Sequence, residues 1–278
     1  MINLSNLKKD LRKLADPQKA KILQRFFKTG KGEYGEGDIF LGVVVPELRK
    51  IARIYFTLDL KDVKQLAESK IHEERMIAMF ILVDKYEKTN HKKIVFHFYI
   101  TNMQNINNWD LVDLSAPKIV GRHLFNSASQ SHVSDVAHQY FLMKKLVSDS
   151  LNKSQRQSKK KLTFNPSESG LLRPLDILSL LARSDNLWER RIGIMATFWF
   201  IKNNQFEESL ELSKILLNDK HDLIHKAVGW MLREVGKRDL KTEVKFLDKY
   251  SKKMPRTMLR YAIEKFPEKQ RLIYLKKN

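Results

Sequence analysis

The sequence predicts an all-α fold, a right-handed solenoid of stacked helix pairs with a concave basic face. Three observations predict it. Apolar residues recur three and four apart through most of the chain, and no convincing alternating strand interrupts them. A basic residue returns at a fixed register in successive helical stretches, at the period of helix-pair repeats. Lys+Arg number 52 against 32 Asp+Glu, a formal net charge of +20, so a surface built from such repeats carries an excess of cations.

The elements follow in chain order. Residues 45–69, VPELRKIARIYFTLDLKDVKQLAES, and 71–88, IHEERMIAMFILVDKYEK, keep the helical period throughout. NINNWDLVD, residues 105–113, then sets a Trp beside two carboxylates with no cation among them. With Asn107 as N-cap, Asp110 falls at the third helical position, where free amides and the helix dipole favour a carboxylate. Capping does not explain Asp113, which lies one turn beyond and on the same face as Trp109. Residues 126–170 are polar and rich in Ser, Gln and Lys. They read as an insertion, with a short helix around HQYFLMKKLVSD and a flexible stretch over 148–170.

Helical pattern resumes in SDNLWERRIGIMATF and FEESLELSKILLNDK. Aligning HEERMIAMF, WERRIGIMA, IHKAVGWML and MLRYAIEKF places Arg75, Arg191, Lys226 and Arg260 in one column. Lys226 follows Arg191 by 35 residues, and Arg260 follows Lys226 by 34. Asp113 stands 38 residues after Arg75, in the column where the other repeats carry a cation. Stacked repeats turn a fixed register into a row, so the column is expected to face phosphates, with one carboxylate among cations. Residues 1–278 are expected to form a single repeat domain around the 126–170 insertion.

Composition excludes several classes. There is no Cys, hence no disulfide, thiolate nucleophile or Cys-ligated zinc. The N-terminal MINLSNLKKDLRKLADPQ has no apolar segment of a secretory signal, and the longest apolar run, residues 192–201, is too short to span a bilayer. A cytoplasmic, monomeric protein without membrane contact is expected. GKGEYG, residues 30–35, matches a dinucleotide fingerprint in letters only, because no strand precedes it. His221 and His225 have the spacing of a zinc helix, but the required Glu is Asp222 and no third ligand is evident, so no metal is expected. Trp230, four residues after Lys226, reads as core or as an aromatic platform beside cations.

With YGEGDIFLGVVVPELRK, NNWDLVD, SDNLWERRIGIMATF and KAVGWMLRE in order at repeat spacing, the chain resembles the AlkD-like family of alkylpurine DNA glycosylases, built of HEAT-like helical repeats. The resemblance implies hydrolysis of the N-glycosidic bond of N3- or N7-alkylated purines in double-stranded DNA, without a cofactor. It places the catalytic carboxylate at Asp113, the wall tryptophans at Trp109 and Trp230, and the active-site arginine at Arg191, expected to hold a phosphate. DNA contacts are expected from Arg75, Arg190, Lys226, Arg233 and Arg260. An early-helix tyrosine of some members corresponds to Phe26 here. The alternatives are a non-catalytic repeat protein that binds distorted or branched DNA, and a protein-binding scaffold.

Overall fold

The computed structural model describes residues 2–127 and 173–276. Among them the architecture is all-α, and the sole β-type pairing is an isolated bridge between Ile39 and Ile71. The expected insertion lies outside the described residues from residue 128 on, and with it the short helix and the flexible stretch. Asn126 and Ser127, the first two residues of the expected insertion, are helical.

Helices α1 (Leu4–Lys13) and α2 (Pro17–Phe26) open the chain, the second capped by Asp16 with Pro17 at its first position. After a glycine-rich loop come α3 (Val45–Ile54), α4 (Leu60–Ala67), α5 (His72–Lys88), α6 (Lys92–Thr101) and α7 (Trp109–Ala116). Pro117 cannot continue the α-helical ladder, and a wide turn over Pro117–Gly121 leads into α8 (Arg122–Ser127). The C-terminal part comprises α9 (Pro174–Ala182), α10 (Leu187–Lys202), α11 (Glu207–Ile215), α12 (Asp222–Gly236), α13 (Leu240–Tyr250), α14 (Arg256–Ala262) and α15 (Glu268–Lys276).

Two helices organise the stack. Both α5 and α10 are buried around most of their circumference, because neighbours pack on each side: α3, α4, α6 and α7 on α5, and α7, α9, α11 and α12 on α10. The α7–α10 contact joins the helices before the undescribed residues to those after them. The turn after α7 also packs closely on α10 at Gly121, where a Cβ would come within 2.1 Å of the Ala196 carbonyl oxygen. Buried side chains from Leu7 to Tyr274 form one continuous apolar cluster.

Burial of α5 extends to the charged residues of its first turn. The Glu73 carboxylate, 1% exposed, accepts backbone N–H groups of Leu41, Gly42 and Val43 at 2.8–3.3 Å and so pins the loop that precedes α3. Glu74 is equally buried and pairs with Lys8 of α1 at 3.0 Å.

Glu243 of α13 is a buried carboxyl of a different kind. Burial pushes its pKa up to about 8, opposed by the Arg233 charge, and its Oε1 has no hydrogen-bond partner among the described residues. The folded-state value exceeds the ordinary 4.5, so the folded chain holds this proton more tightly than the unfolded chain. The associated stability is full below about 4.5 and is lost as pH rises through about 8. Glu243→Gln is therefore expected to raise the thermal midpoint at pH 8 while changing it little at pH 4.5, as scanning calorimetry at the two pH values would show.

Candidate active site

The column of cations divides on folding. Arg75 is 4% exposed, and its guanidinium pairs with Asp38 at 2.7 Å and donates to the Ser69 carbonyl at 2.8 Å. This corrects the expectation of Arg75 as a phosphate contact: its end of α5 is covered by the loop carrying Asp38, and its charge is neutralised inside the protein. Arg191 is also 4% exposed. Its Nε and Nη2 donate to the two oxygens of Asp113 at 2.9 and 2.8 Å, and Nη1 donates to the Leu223 carbonyl of α12. The expectation that Arg191 grips a phosphate is replaced by a bidentate pair with the candidate catalytic carboxylate.

The two pairs are counterparts in successive parts of the stack. Each sets an arginine near the start of a buried helix against an aspartate, and each guanidinium also donates to one backbone carbonyl. They differ in openness. The Asp38 side chain is 5% exposed and the Asp113 side chain 16%. Burial pushes the Asp113 carboxyl above its ordinary range, and the Arg191 charge and hydrogen bonds oppose that shift.

Helix α7 begins one residue later than the sequence indicates. Asn108, not Asn107, is the N-cap, and its side chain accepts the Trp109 N–H at 2.8 Å. Asp110 is thus the second helical residue, and its role exceeds capping. One oxygen accepts the Leu111 N–H at 2.8 Å, and the other meets His72 Nε2 at 2.8 Å. His72 is 3% exposed and has Asp38 on its other nitrogen, at 3.5 Å. Burial lowers the His72 pKa, but the Asp110 charge and the hydrogen bonds of the two aspartates outweigh it, and the net shift is upward. Two carboxylates, a guanidinium and an imidazole, from Asp38, Asp110, Arg75 and His72, therefore form one internal network behind Trp109.

The Trp109 ring stacks on Phe27 at 5.2 Å between centroids and meets Phe26 edge-on at 6.0 Å. Phe26 itself is 61% exposed. The Trp109 indole N–H donates to the Tyr34 hydroxyl at 3.2 Å, and the Tyr34 ring lies 6.0 Å from that of Trp188. Trp230 is half-buried on α12, with its indole N–H on Glu234 and its ring 6.4 Å from Phe198. It lies two helical turns from Leu223, the residue whose carbonyl receives Arg191. Trp230 thus packs one side against the core and leaves part of its ring accessible.

The other expected DNA contacts differ in availability. Arg260 is exposed. Lys226 is partly exposed and pairs with Asp222 at 2.7 Å within α12. Arg190 is held by Asp219 at 2.6 Å and by the Ser184 and Asp185 carbonyls, and Arg233 pairs with Glu264. Both are largely covered, so a phosphate would have to compete with an existing carboxylate. His221 and His225 turn to the backbone, His221 accepting the Leu223 N–H and His225 meeting the Asp219 carbonyl. Residues 30–35 form a turn-rich loop with no strand before it among the described residues. No described helix is long and apolar enough to cross a membrane.

His72, Asp38, Trp188 and Tyr34 were not singled out as site residues by sequence. Asp38 and Tyr34 do sit in the quoted YGEGD motif, and His72 and Trp188 occupy the same column of the repeat alignment, which is the signal that could have found them.

Fold and site together define a helical-repeat protein in which an arginine locks a carboxylate one turn after the half-buried Trp109, with the half-buried Trp230 on the helix that receives the same arginine. A family model described as DNA alkylation repair enzyme matches residues 7–165 and 167–266, and the chain belongs to that family. Membership implies an enzyme with a role in DNA repair and DNA as its binding partner. Among solved structures, a predicted DNA alkylation repair enzyme from Enterococcus faecalis is 12% identical, with 91% of this chain and 97% of that one covered at a TM-score of 0.56. AlkD2 from Streptococcus mutans is 18% identical, with 91% and 99% covered at a TM-score of 0.43. At 12% identity the first likeness is one of fold. No curated protein sequence matches the chain.

Proposed function

We propose that this protein is an alkylpurine DNA glycosylase, hydrolysing the N-glycosidic bond of purines that alkylation at N3 or N7 has made cationic. The observation that carries the reading is the Asp113–Arg191 pair, in which a carboxylate is held rigidly yet keeps a 16% exposed edge. A cationic purine is already a good leaving group, so little acid catalysis is required. As the bond breaks, positive charge develops on the deoxyribose, and a fixed anion beside it lowers the barrier. Asp113 supplies that anion and orients the attacking water. Arg191 occupies one lone pair on each oxygen and leaves the others to water and sugar. Trp109 and Trp230 pack against the deoxyribose and adjacent backbone. Lys226 and Arg260 contact phosphates, with Arg190 and Arg233 joining where DNA displaces their carboxylate partners.

The likeness of the Asp113–Arg191 and Asp38–Arg75 pairs favours one other reading, in which both are structural and the protein binds distorted or branched DNA without cutting it. A duplex bearing a single 7-methylguanine separates the two. Release of the base, seen as alkali-sensitive abasic sites, supports the glycosylase. Tight binding with no abasic site supports the binding protein. In either case affinity for DNA is expected to fall steeply with salt, with a log–log slope of several units. Reversing the charge of Lys226 is expected to flatten that slope, as binding titrations at several salt concentrations would measure.

A further inference from the structure

The hydroxyl of Tyr34 stands in the site with half of its hydrogen-bonding capacity unused. Its oxygen accepts the Trp109 indole N–H at 3.2 Å, and its own hydrogen has no acceptor among the described residues. The ring is held edge-on against Trp188 on the far side. A loop residue so placed bridges α7, which carries Asp113, and α10, which carries Arg191.

The loop is built to hold it there. Gly35, directly after Tyr34, donates its N–H to the Lys28 carbonyl at 3.0 Å, and a Cβ at Gly35 would come within 2.5 Å of the Phe27 carbonyl oxygen. The Gly30 and Gly32 N–H groups donate to the carboxylates of Glu33 and Glu36 at 2.9 and 2.7 Å. Asp38 ties the far end of the loop into the buried network through Arg75 and through Asn108, the N-cap of α7. The surroundings also identify what the hydroxyl would meet. The charges of Asp110, Lys226 and Glu33 all reach it, Lys226 being the cation among them, and its hydroxyl is the one that bonds Trp109. An oxygen acceptor that suits a neutral O–H donor and a cation together is a phosphate oxygen.

We propose that Tyr34 is a substrate-contact residue, which fixes the Trp109 indole with its oxygen and donates its hydrogen to a backbone phosphate beside the damaged nucleotide. It thereby restores, from a loop, a hydroxyl beside the position where Phe26 offers none. The proposal rests on the glycosylase reading, and its test keeps the two apart.

Wild type, Tyr34→Phe and Asp113→Asn are compared by single-turnover base release from 7-methylguanine duplexes. In one set, each phosphate near the lesion is replaced in turn by an uncharged methylphosphonate. Tyr34→Phe keeps the ring between Trp109 and Trp188 and removes only the hydroxyl. It is expected to slow release by roughly ten- to a hundredfold, the scale of one hydrogen bond to a charged group. One methylphosphonate position is expected to slow wild type and to have little further effect on Tyr34→Phe. Equal slowing of both proteins at every position, or a Tyr34→Phe rate matching wild type, overturns the proposal while leaving the enzyme reading intact. A wild type that releases no base overturns the enzyme reading itself. Should Tyr34→Phe fold poorly, 3-fluorotyrosine at position 34 keeps the shape and strengthens the donor. Sensitivity to the same methylphosphonate must then grow, and an unchanged sensitivity counts against the phosphate contact.

Discussion

Asp113→Asn is expected to slow base release by roughly one to three orders of magnitude, the scale of losing one preorganised electrostatic group. On the proposed mechanism, the substitution removes the negative charge opposite the developing sugar cation. It also turns one of the two bonds from Arg191 into a donor facing a donor, since an amide has a single oxygen. A loss of stability accompanies the loss of rate, and single-turnover measurements well below the thermal midpoint isolate the chemical effect. Binding to undamaged DNA is expected to hold or improve, because a negative charge near phosphates has gone. The pH dependence has a definite sign. Burial raises the Asp113 pKa above 3.8, and DNA phosphates shift it the same way. Base release is therefore expected to fail on the acid side at a pH above the ordinary aspartate range, and Asp113→Asn is expected to lack that limb. An Asp113→Asn rate equal to wild type would exclude this carboxylate.

Arg191→Ala is expected to be the most damaging single change to both activity and stability. It leaves Asp113 in a largely covered position without its cation and removes the link to Leu223 on α12. Breaking one side of such a pair costs about 3 kcal/mol or more. Asp113 relieves part of this by taking up a proton, which also removes the charge that the proposed mechanism uses. Base release is expected to fall at least as far as in Asp113→Asn. Arg191→Lys is expected to recover part of the stability and little of the rate, because a single ammonium cannot hold both oxygens. Denaturant unfolding beside single-turnover kinetics measures both. Arg191→Ala with wild-type stability would mean that the pair does not tie α7 to α10 and α12.

Comparison of Arg75 with Arg191 and of Asn107 with Asn108 shows how far sequence reading reached. Helix periodicity located α3 and α4, because amphipathic spacing is a local property that survives whatever the neighbours do. The repeat column correctly grouped Arg75 and Arg191, which make analogous pairs with Asp38 and Asp113. It gave the wrong environment for both, since each guanidinium is buried against a carboxylate contributed by a distant segment. The N-cap was misplaced by one residue because Asn107 and Asn108 are equally good caps in isolation. Asn108 is selected by its contact with Asp38, 70 residues away.

By itself the sequence determined the all-α class, the excess of cations and the presence of Trp109, Asp113, Arg191 and Trp230. Tertiary structure decided which charges are spent inside the protein, that His72 engages Asp110, and that Tyr34 reaches both Trp109 and Trp188. The physical reason is that spacing along a helix fixes which residues share a face. Whether that face meets solvent, a carboxylate or another ring depends on which helices and loops pack over it, and those come from segments far apart in the chain.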